Sequence, residues 1–202
     1  MNEVKLNLGC AGRLLEGYIN IDQDSIETMK IRYPDIKFKE TDIIYNYDVF
    51  NLPFEDNNVD EVIADAFIEH LSFSEEKLIF EEIKRVLKPG GKFNFSVPNF
   101  EKNIKMWLDA EDDWKEFFRS DDEAINQQHW FGTYTYEPKN RWGYLTAMIF
   151  GTQNGEGQLH KNCYTIPKIK AILNKLNFSQ IEISEFRWKE NRDFMIQVNA
   201  IK

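Results

Sequence analysis

A short strand that stops at a glycine turn, answered thirteen residues later by a carboxylate, limits what this chain can fold into more than any other feature. Residues 4–8 (Val-Lys-Leu-Asn-Leu) alternate as a strand and end at Gly9-Cys10-Ala11-Gly12, and residues 18–22 form a second short strand closing on Asp22. Only about ten residues are left for the crossover between them, near the minimum for a parallel connection. Any helix there must be stunted, which leaves little helix N-terminus for a diphosphate. The spacing also falls short of the ~20 residues of a dinucleotide fingerprint. A ligand with a ribose but no diphosphate suits this turn better than a nicotinamide cofactor. Gly9 lets the backbone approach such a ligand, and Asp22 can accept both hydrogen bonds of a ribose diol. The alternative is that Asp22 is only a strand-end turn residue.

Downstream, strands and helices alternate. Asp24-Ser25 can cap a helix to about Arg32. Residues 35–48 are ambiguous and hold a candidate third strand. After Glu55-Asp56-Asn57-Asn58, residues 59–64 read as a fourth. Ser72 with Glu75 forms a capping box, Leu78, Ile79, Ile83, Val86 and Leu87 give a helical stripe, and Pro89-Gly90-Gly91 stops it. Residues 92–97 alternate as a fifth strand. Thr165 caps a helix with Pro167 in its first turn and Ile169, Ile172, Leu173 and Leu176 facing inward. Residues 180–186 and 194–200 close the chain as an antiparallel hairpin, because too little chain separates them for a parallel crossover. The sum is an α/β fold over 1–202: a doubly wound, mostly parallel seven-stranded sheet with a C-terminal antiparallel hairpin.

Residues 100–160 break that rhythm. They carry 12 of the 29 aromatic residues, including four of the five Trp, and they follow a strand's carboxyl end, where open α/β sheets bind ligands. Either they cap a pocket or they form a second small hydrophobic cluster. The layout that follows is a cofactor half (1–99), an aromatic-rich substrate cap (100–160) and a closing helix and hairpin (161–202).

Charge and cysteine usage narrow the partners. The net charge of −9 argues against a broad nucleic-acid face, which needs clustered Lys and Arg. Residues 1–138 carry −14 and residues 139–202 carry +5, so an anionic or nucleotide-linked small acceptor is compatible with the last third, as is a plain solvated surface. No apolar run is long enough to span a membrane. Met1 leads directly into polar sequence without a signal peptide. Cys10 and Cys163 are too few for a disulfide framework or a metal knuckle, and both read as inert. The expectation is a cytoplasmic protein of undetermined oligomeric state, with no residue assigned to a metal and metal assistance left open. The acids Asp109, Glu111, Asp112, Asp113, Glu116, Asp121, Asp122 and Glu123 look like the wet face of a helix.

Five segments in order carry a resemblance: Leu6-Asn7-Leu8-Gly9-Cys10-Ala11-Gly12, Gly17-Tyr18-Ile19-Asn20-Ile21-Asp22, Leu52-Pro53-Phe54, Glu69-His70-Leu71 and Leu87-Lys88-Pro89-Gly90-Gly91. The chain resembles a class I S-adenosylmethionine-dependent methyltransferase. It is similar in particular to the small ones encoded among surface-polysaccharide biosynthesis genes, which share the shortened first crossover and a late segment seen here as Gly151-Thr152-Gln153 and His160. The resemblance covers 1–99 and 160–202. It implies S-adenosyl-L-methionine as cofactor, with Gly9, Cys10 and Ala11 in the turn against its methionine part and Asp22 on the ribose. It further implies Asp48 and Val49 at the adenine, and Asp65 and Phe67 flanking the methionine end. Two positions depart from the pattern: Asn7 stands where relatives carry an acid, and Ala11 where most carry Gly. A side chain at 11 is tolerable unless that position needs positive φ.

Methyl transfer to a hydroxyl gains ~10²–10⁴-fold from a general base, and His serves best near neutral pH. Of the three histidines, His160 is the first candidate and His70 the second; His129, beside Trp130 and Phe131, can be amphipathic filler. Glu69-His70 can also simply orient a helix start. The expected activity is O-methylation of a small sugar or glycan-precursor acceptor. N-methylation of an amino sugar or other metabolite is an alternative, as is a cofactor-binding module without turnover.

Overall fold

The computed structural model describes residues 3–110, 144–151, 156–188 and 193–202. Strand β1 (Lys5–Leu8) buries Leu6 and Leu8 completely and Asn7 almost so, as a central parallel strand must. It pairs in parallel with β2 (Ile19–Ile21) on one side and with β3 (Val59–Asp65) on the other. Strand β4 (Leu87–Pro98) follows β3 in parallel. Then β6 (Asp193–Ile201) runs antiparallel to β4, and β5 (Ser179–Trp188) antiparallel to β6. The order is β2-β1-β3-β4-β6-β5: a mixed sheet, mostly parallel, with the C-terminal hairpin inserted as expected.

Among the described residues the sheet has six strands rather than seven. The stretch around residues 35–48 supplies only a bridge, in which Tyr45 N–H donates to Asn20 O (2.8 Å) and Asp22 N–H to Tyr45 O (3.1 Å). Ile36, Ile43 and Tyr45 stay exposed while Phe38, Ile44 and Tyr47 are only half-buried, so little apolar burial is gained by a full strand on this edge.

The first crossover contains no helix at all. Its ten residues are held instead by two asparagines opposite each other in the β1–β2 register. Asn7 Nδ2 donates to Asn20 Oδ1 and to Arg13 O, both at 2.8 Å, and Asn20 Oδ1 accepts from Leu15 N (2.9 Å). Buried amides are costly unless satisfied; here they replace the missing helix as the splint of the loop. The unusual Asn7 therefore has a structural task.

Helix α1 (Ile26–Arg32) is capped by Ser25, and helix α2 (Phe73–Val86) by the Ser72/Glu75 box in both directions. Ile79, Phe80, Ile83 and Val86 of α2 are buried, with Phe80 edge-on to Phe93 and Phe95 at 5.9 Å; full burial of such side chains contributes about 1.5–3 kcal/mol each. Leu78, expected in that stripe, is 48% exposed. Leu87, also expected to be helical, instead caps α2 and starts β4, since Pro89 disfavours helical backbone at Lys88. Arg85 and Glu82 clamp the Leu52-Pro53-Phe54 segment through its backbone (2.6–3.1 Å).

Helix α3 (Phe100–Asp109) follows β4 and packs against α4 (Tyr144–Phe150). Helix α5 (Ile166–Lys175), capped by Thr165, buries Ile169 and Leu173. Most of the aromatic insertion, including His129, Trp114, Trp130 and Trp142, lies outside the described residues, as do residues 111–123 and Thr152 and Gln153.

Candidate active site

The parallel strands diverge in connection at β1: the chain leaves it toward β2 on one side, while β3 lies on the other. Ligands of open α/β sheets bind where the order switches, outside the carboxyl ends. A cleft of about 1120 Å³ opens there. All ten residues singled out from the sequence line it: Gly9, Cys10, Ala11, Asp22, Asp48, Val49, Asp65, Phe67, His70 and His160.

One wall comes from the first seventy residues. Gly9 has φ +60°, and a Cβ there would overlap the Phe67 ring, so this position is closed to side chains twice over. Ala11 does need positive φ, at 44°, and Ala66 beside Phe67 has 49°. Non-glycine residues held this way cost about 1–3 kcal/mol each and cluster at functional sites. Asp22 Oδ2 accepts from Ala11 N (2.9 Å) and Oδ1 from Asp24 N (3.1 Å). Burial pushes the Asp22 carboxyl above its ordinary range against those two hydrogen bonds. Burial, with Asp22 adding to it, pushes the Cys10 thiol to about 12, so it is inert as a nucleophile. Asp48 turns the chain by accepting from Phe50 N (2.9 Å). Asp65 accepts from Ser96 Oγ (3.0 Å) and pairs with Arg13.

The opposite wall joins two distant segments. A 3₁₀ turn, Ile68–His70, presents Glu69 O to the N–H groups of Lys161 (2.9 Å) and Asn162 (3.1 Å). His160 N–H donates to Phe150 O (3.0 Å), and Gly151 bridges Leu159. Gly151 has φ +82°, and a Cβ there would run into the Gln158 carbonyl. That glycine allows the strap to fold tightly enough to bring His160 in. His70 and His160 then meet edge to face, centroids 4.9 Å apart. His70 Nδ1 lies 3.1 Å from Leu159 O and His160 Nδ1 2.9 Å from Met148 O. Carbonyls only accept, so each Nδ1 donates in these contacts, which leaves the Nε2 lone pair of neutral His160 free, while His70 also hydrogen-bonds the Ala66 carbonyl. Burial lowers both imidazole pKa values, that of His160 to about 4 with His70 contributing. Burial raises Glu69, 2% exposed, to about 8, with Asp65 adding to it.

Sequence reading missed the burial of Glu69, the Arg13–Asp65 pair, and Met148 and Lys161 in the lining. The adjacency Glu69-His70 was a signal for the first; nothing local marks the others.

Comparisons with known proteins fit this geometry. Residues 9–95 match the family model described as a methyltransferase domain. No curated protein matches the sequence. Among solved structures, the whole chain aligns with a possible exported protein from Bordetella parapertussis at 14% identity and TM-score 0.52, spanning 62% of that protein's length. It aligns over 98% of its length with the 1,6-didemethyltoxoflavin-N1-methyltransferase of Burkholderia thailandensis, a structure with bound 1,6-didemethyltoxoflavin and S-adenosylhomocysteine (13% identity, TM-score 0.57, 70% of that chain). A Methanosarcina mazei S-adenosylmethionine-dependent methyltransferase aligns over the full chain and 93% of its own (16%, 0.57). At these identities the structures speak for the fold. The domain match, over residues 9–95, is to a methyltransferase domain, and the S-adenosylhomocysteine is bound in the Burkholderia thailandensis neighbour.

Proposed function

We propose that the protein transfers the methyl group of S-adenosylmethionine to a hydroxyl of a small sugar or glycan-precursor acceptor, with His160 receiving the proton and His70 beside it. When bound, the cofactor supplies a methyl carbon made electrophilic by sulfonium. In this reading Gly9, Cys10 and Ala11 face its methionine part, Asp22 its ribose, Asp48 and Val49 its adenine, and Asp65 and Phe67 the reacting end. The chain's own contribution is position and dryness: much of the acceleration of an in-line displacement comes from aligning the partners and excluding water.

One observation carries the reading. The His70–His160 pair lines the same cleft as Asp65 and Phe67, and the Nδ1 hydrogen bond of His160 leaves its Nε2 lone pair available. A base is needed for a hydroxyl acceptor, and both imidazoles are neutral at neutral pH. The lining favours an uncharged acceptor over an anionic one. Arg13 is paired with Asp65 and Arg32 with Asp24, leaving Lys161 among the carboxylates Asp22, Asp48 and Glu75. The same acidity suits a protonated amino sugar, the second reading. The word glycan rests on the resemblance to methyltransferases of surface-polysaccharide clusters, and a cytoplasmic site of action fits it; no described helix is long and apolar enough to cross a membrane. Met148 of α4 in the lining supports residues 100–160 as the substrate cap.

The test is a tritiated-methyl assay against neutral sugars, nucleotide sugars and surface-glycan precursors, run beside calorimetry with S-adenosylhomocysteine. Turnover on a hydroxyl acceptor, lost in His160→Ala, supports the proposal. Turnover on amines that survives His160→Ala favours the second reading, and binding without turnover on any acceptor leaves a cofactor-binding module.

A further inference from the structure

We propose that Glu69, His70 and His160 form a site for one divalent transition-metal ion at the acceptor end of the cleft. One ligand atom from each of the three lies within 4.8 Å of the others. Bonds of about 2.0–2.2 Å to imidazole nitrogen and carboxylate oxygen place tetrahedral ligand atoms ~3.4 Å apart around one ion, so closure needs the widest pair to approach by up to about 1.4 Å.

Three further observations point to a cation. Each imidazole donates its Nδ1 proton to a main-chain carbonyl, Leu159 for His70 and Met148 for His160. An outer hydrogen bond of this kind fixes the tautomer of a metal-binding histidine. Secondly, Glu69 Oε2 is fully shielded and has no hydrogen-bond partner. A buried carboxylate oxygen without a donor is costly, and a coordinated cation would supply the missing charge. Thirdly, the ligands are held before any ion arrives: Lys161 and Asn162 N–H bind Glu69 O, which locks the turn at 68–70 to the strap at 159–162.

Two imidazoles and one carboxylate select the metal. Such a donor set suits zinc, manganese or ferrous iron, whereas magnesium and calcium prefer oxygen ligands throughout. Three protein ligands leave open positions, the mark of a site that also takes a water or a substrate oxygen. The inference rests on the reading that this end of the cleft receives the acceptor. There the ion would draw in the hydroxyl and lower its pKa, so that its proton passes to bulk water, and His160 would hold the ion instead of the proton.

The experiment is calorimetric titration of chelator-stripped full-length protein with Zn²⁺ and, separately, Mn²⁺. Wild type is expected to take up one equivalent of at least one of them. Glu69→Gln and His160→Ala are each expected to weaken that binding at least tenfold while S-adenosylhomocysteine affinity stays within twofold, which shows that the variants are folded. Absence of stoichiometric binding, or binding equally tight in both variants, overturns the site. Methyl transfer on an identified acceptor separates this from the proposed function. Equal turnover in chelator and in metal overturns the ion's role and leaves His160 as base, whereas stoichiometric metal binding without turnover on any acceptor upholds the site and counts against the acceptor reading.

Discussion

On the cofactor side of the cleft, Gly9, Cys10, Ala11 and Asp22 fall within fourteen residues of chain and are fixed by two short strands and a pair of facing asparagines. On the opposite side, proposed for the acceptor, His70 reaches the carbonyl of a residue 89 positions away, and the wall exists only because two turns hydrogen-bond to each other. The first wall follows from local chain geometry; the second is a tertiary product. Changes to one should therefore leave the other intact, and that separability can be attacked directly.

The largest expected effect is at the acceptor wall. His160→Ala should lower turnover by ~10²–10⁴-fold with cofactor affinity unchanged, measured by methyl transfer beside calorimetry; a matching loss of cofactor affinity would show that the walls are not independent. Next, Asp22→Ala should weaken S-adenosylhomocysteine binding at least tenfold, about 1.4 kcal/mol, while the His160 imidazole still titrates near 4 by NMR.

The pH response of stability gives a smaller effect. Glu69 has a folded pKa raised to about 8 from 4.5, so its favourable contribution is complete below about 4.5 and is lost as pH rises through about 8. Glu69→Gln should thus melt increasingly later than wild type, in chelator, as pH is raised from 5 to 9. Parallel melting curves would mean that Glu69 is not held neutral. The smallest change is Ala11→Gly, which relieves a positive φ of 44° and should add ~0.5–1 kcal/mol in denaturant unfolding without altering the acceptor wall.

These contrasts explain what was legible in the sequence. The capped helices, the hairpin and the strand–glycine–Asp22 unit were readable because each is specified by neighbours within a few turns: Ser72 with Glu75, Thr165 with Pro167, Gly9 with the strand before it. Tyr45 was not, because whether a segment becomes a strand or a single bridge depends on how much apolar surface it can bury on the edge. The crossover was expected to be short, but its support by Asn7 and Asn20 appears only when their register is known. His70 and His160 were each named from the resemblance and from scarcity; that they touch, with Glu69 behind them, depends on the path of the strap. The substitution of Ala at 11 is a conformational burden that local sequence posed as a question and the backbone angle answers.

The reduction of the seventh strand to a bridge bears on what the margins of the sheet offer to another chain. Unpaired sheet margins invite another chain to add on. Here β2 offers only three residues, and Tyr45 already occupies donor and acceptor beside it. The far margin, β5, is broken by a register shift between Ser179 and Glu182, where Gln180 sits at φ 47°, and then carries Glu182 and Glu185. Among the described residues, the border on one side is kinked and charged and the one on the other is truncated and plugged, and each is a poor template for cross-molecular stacking.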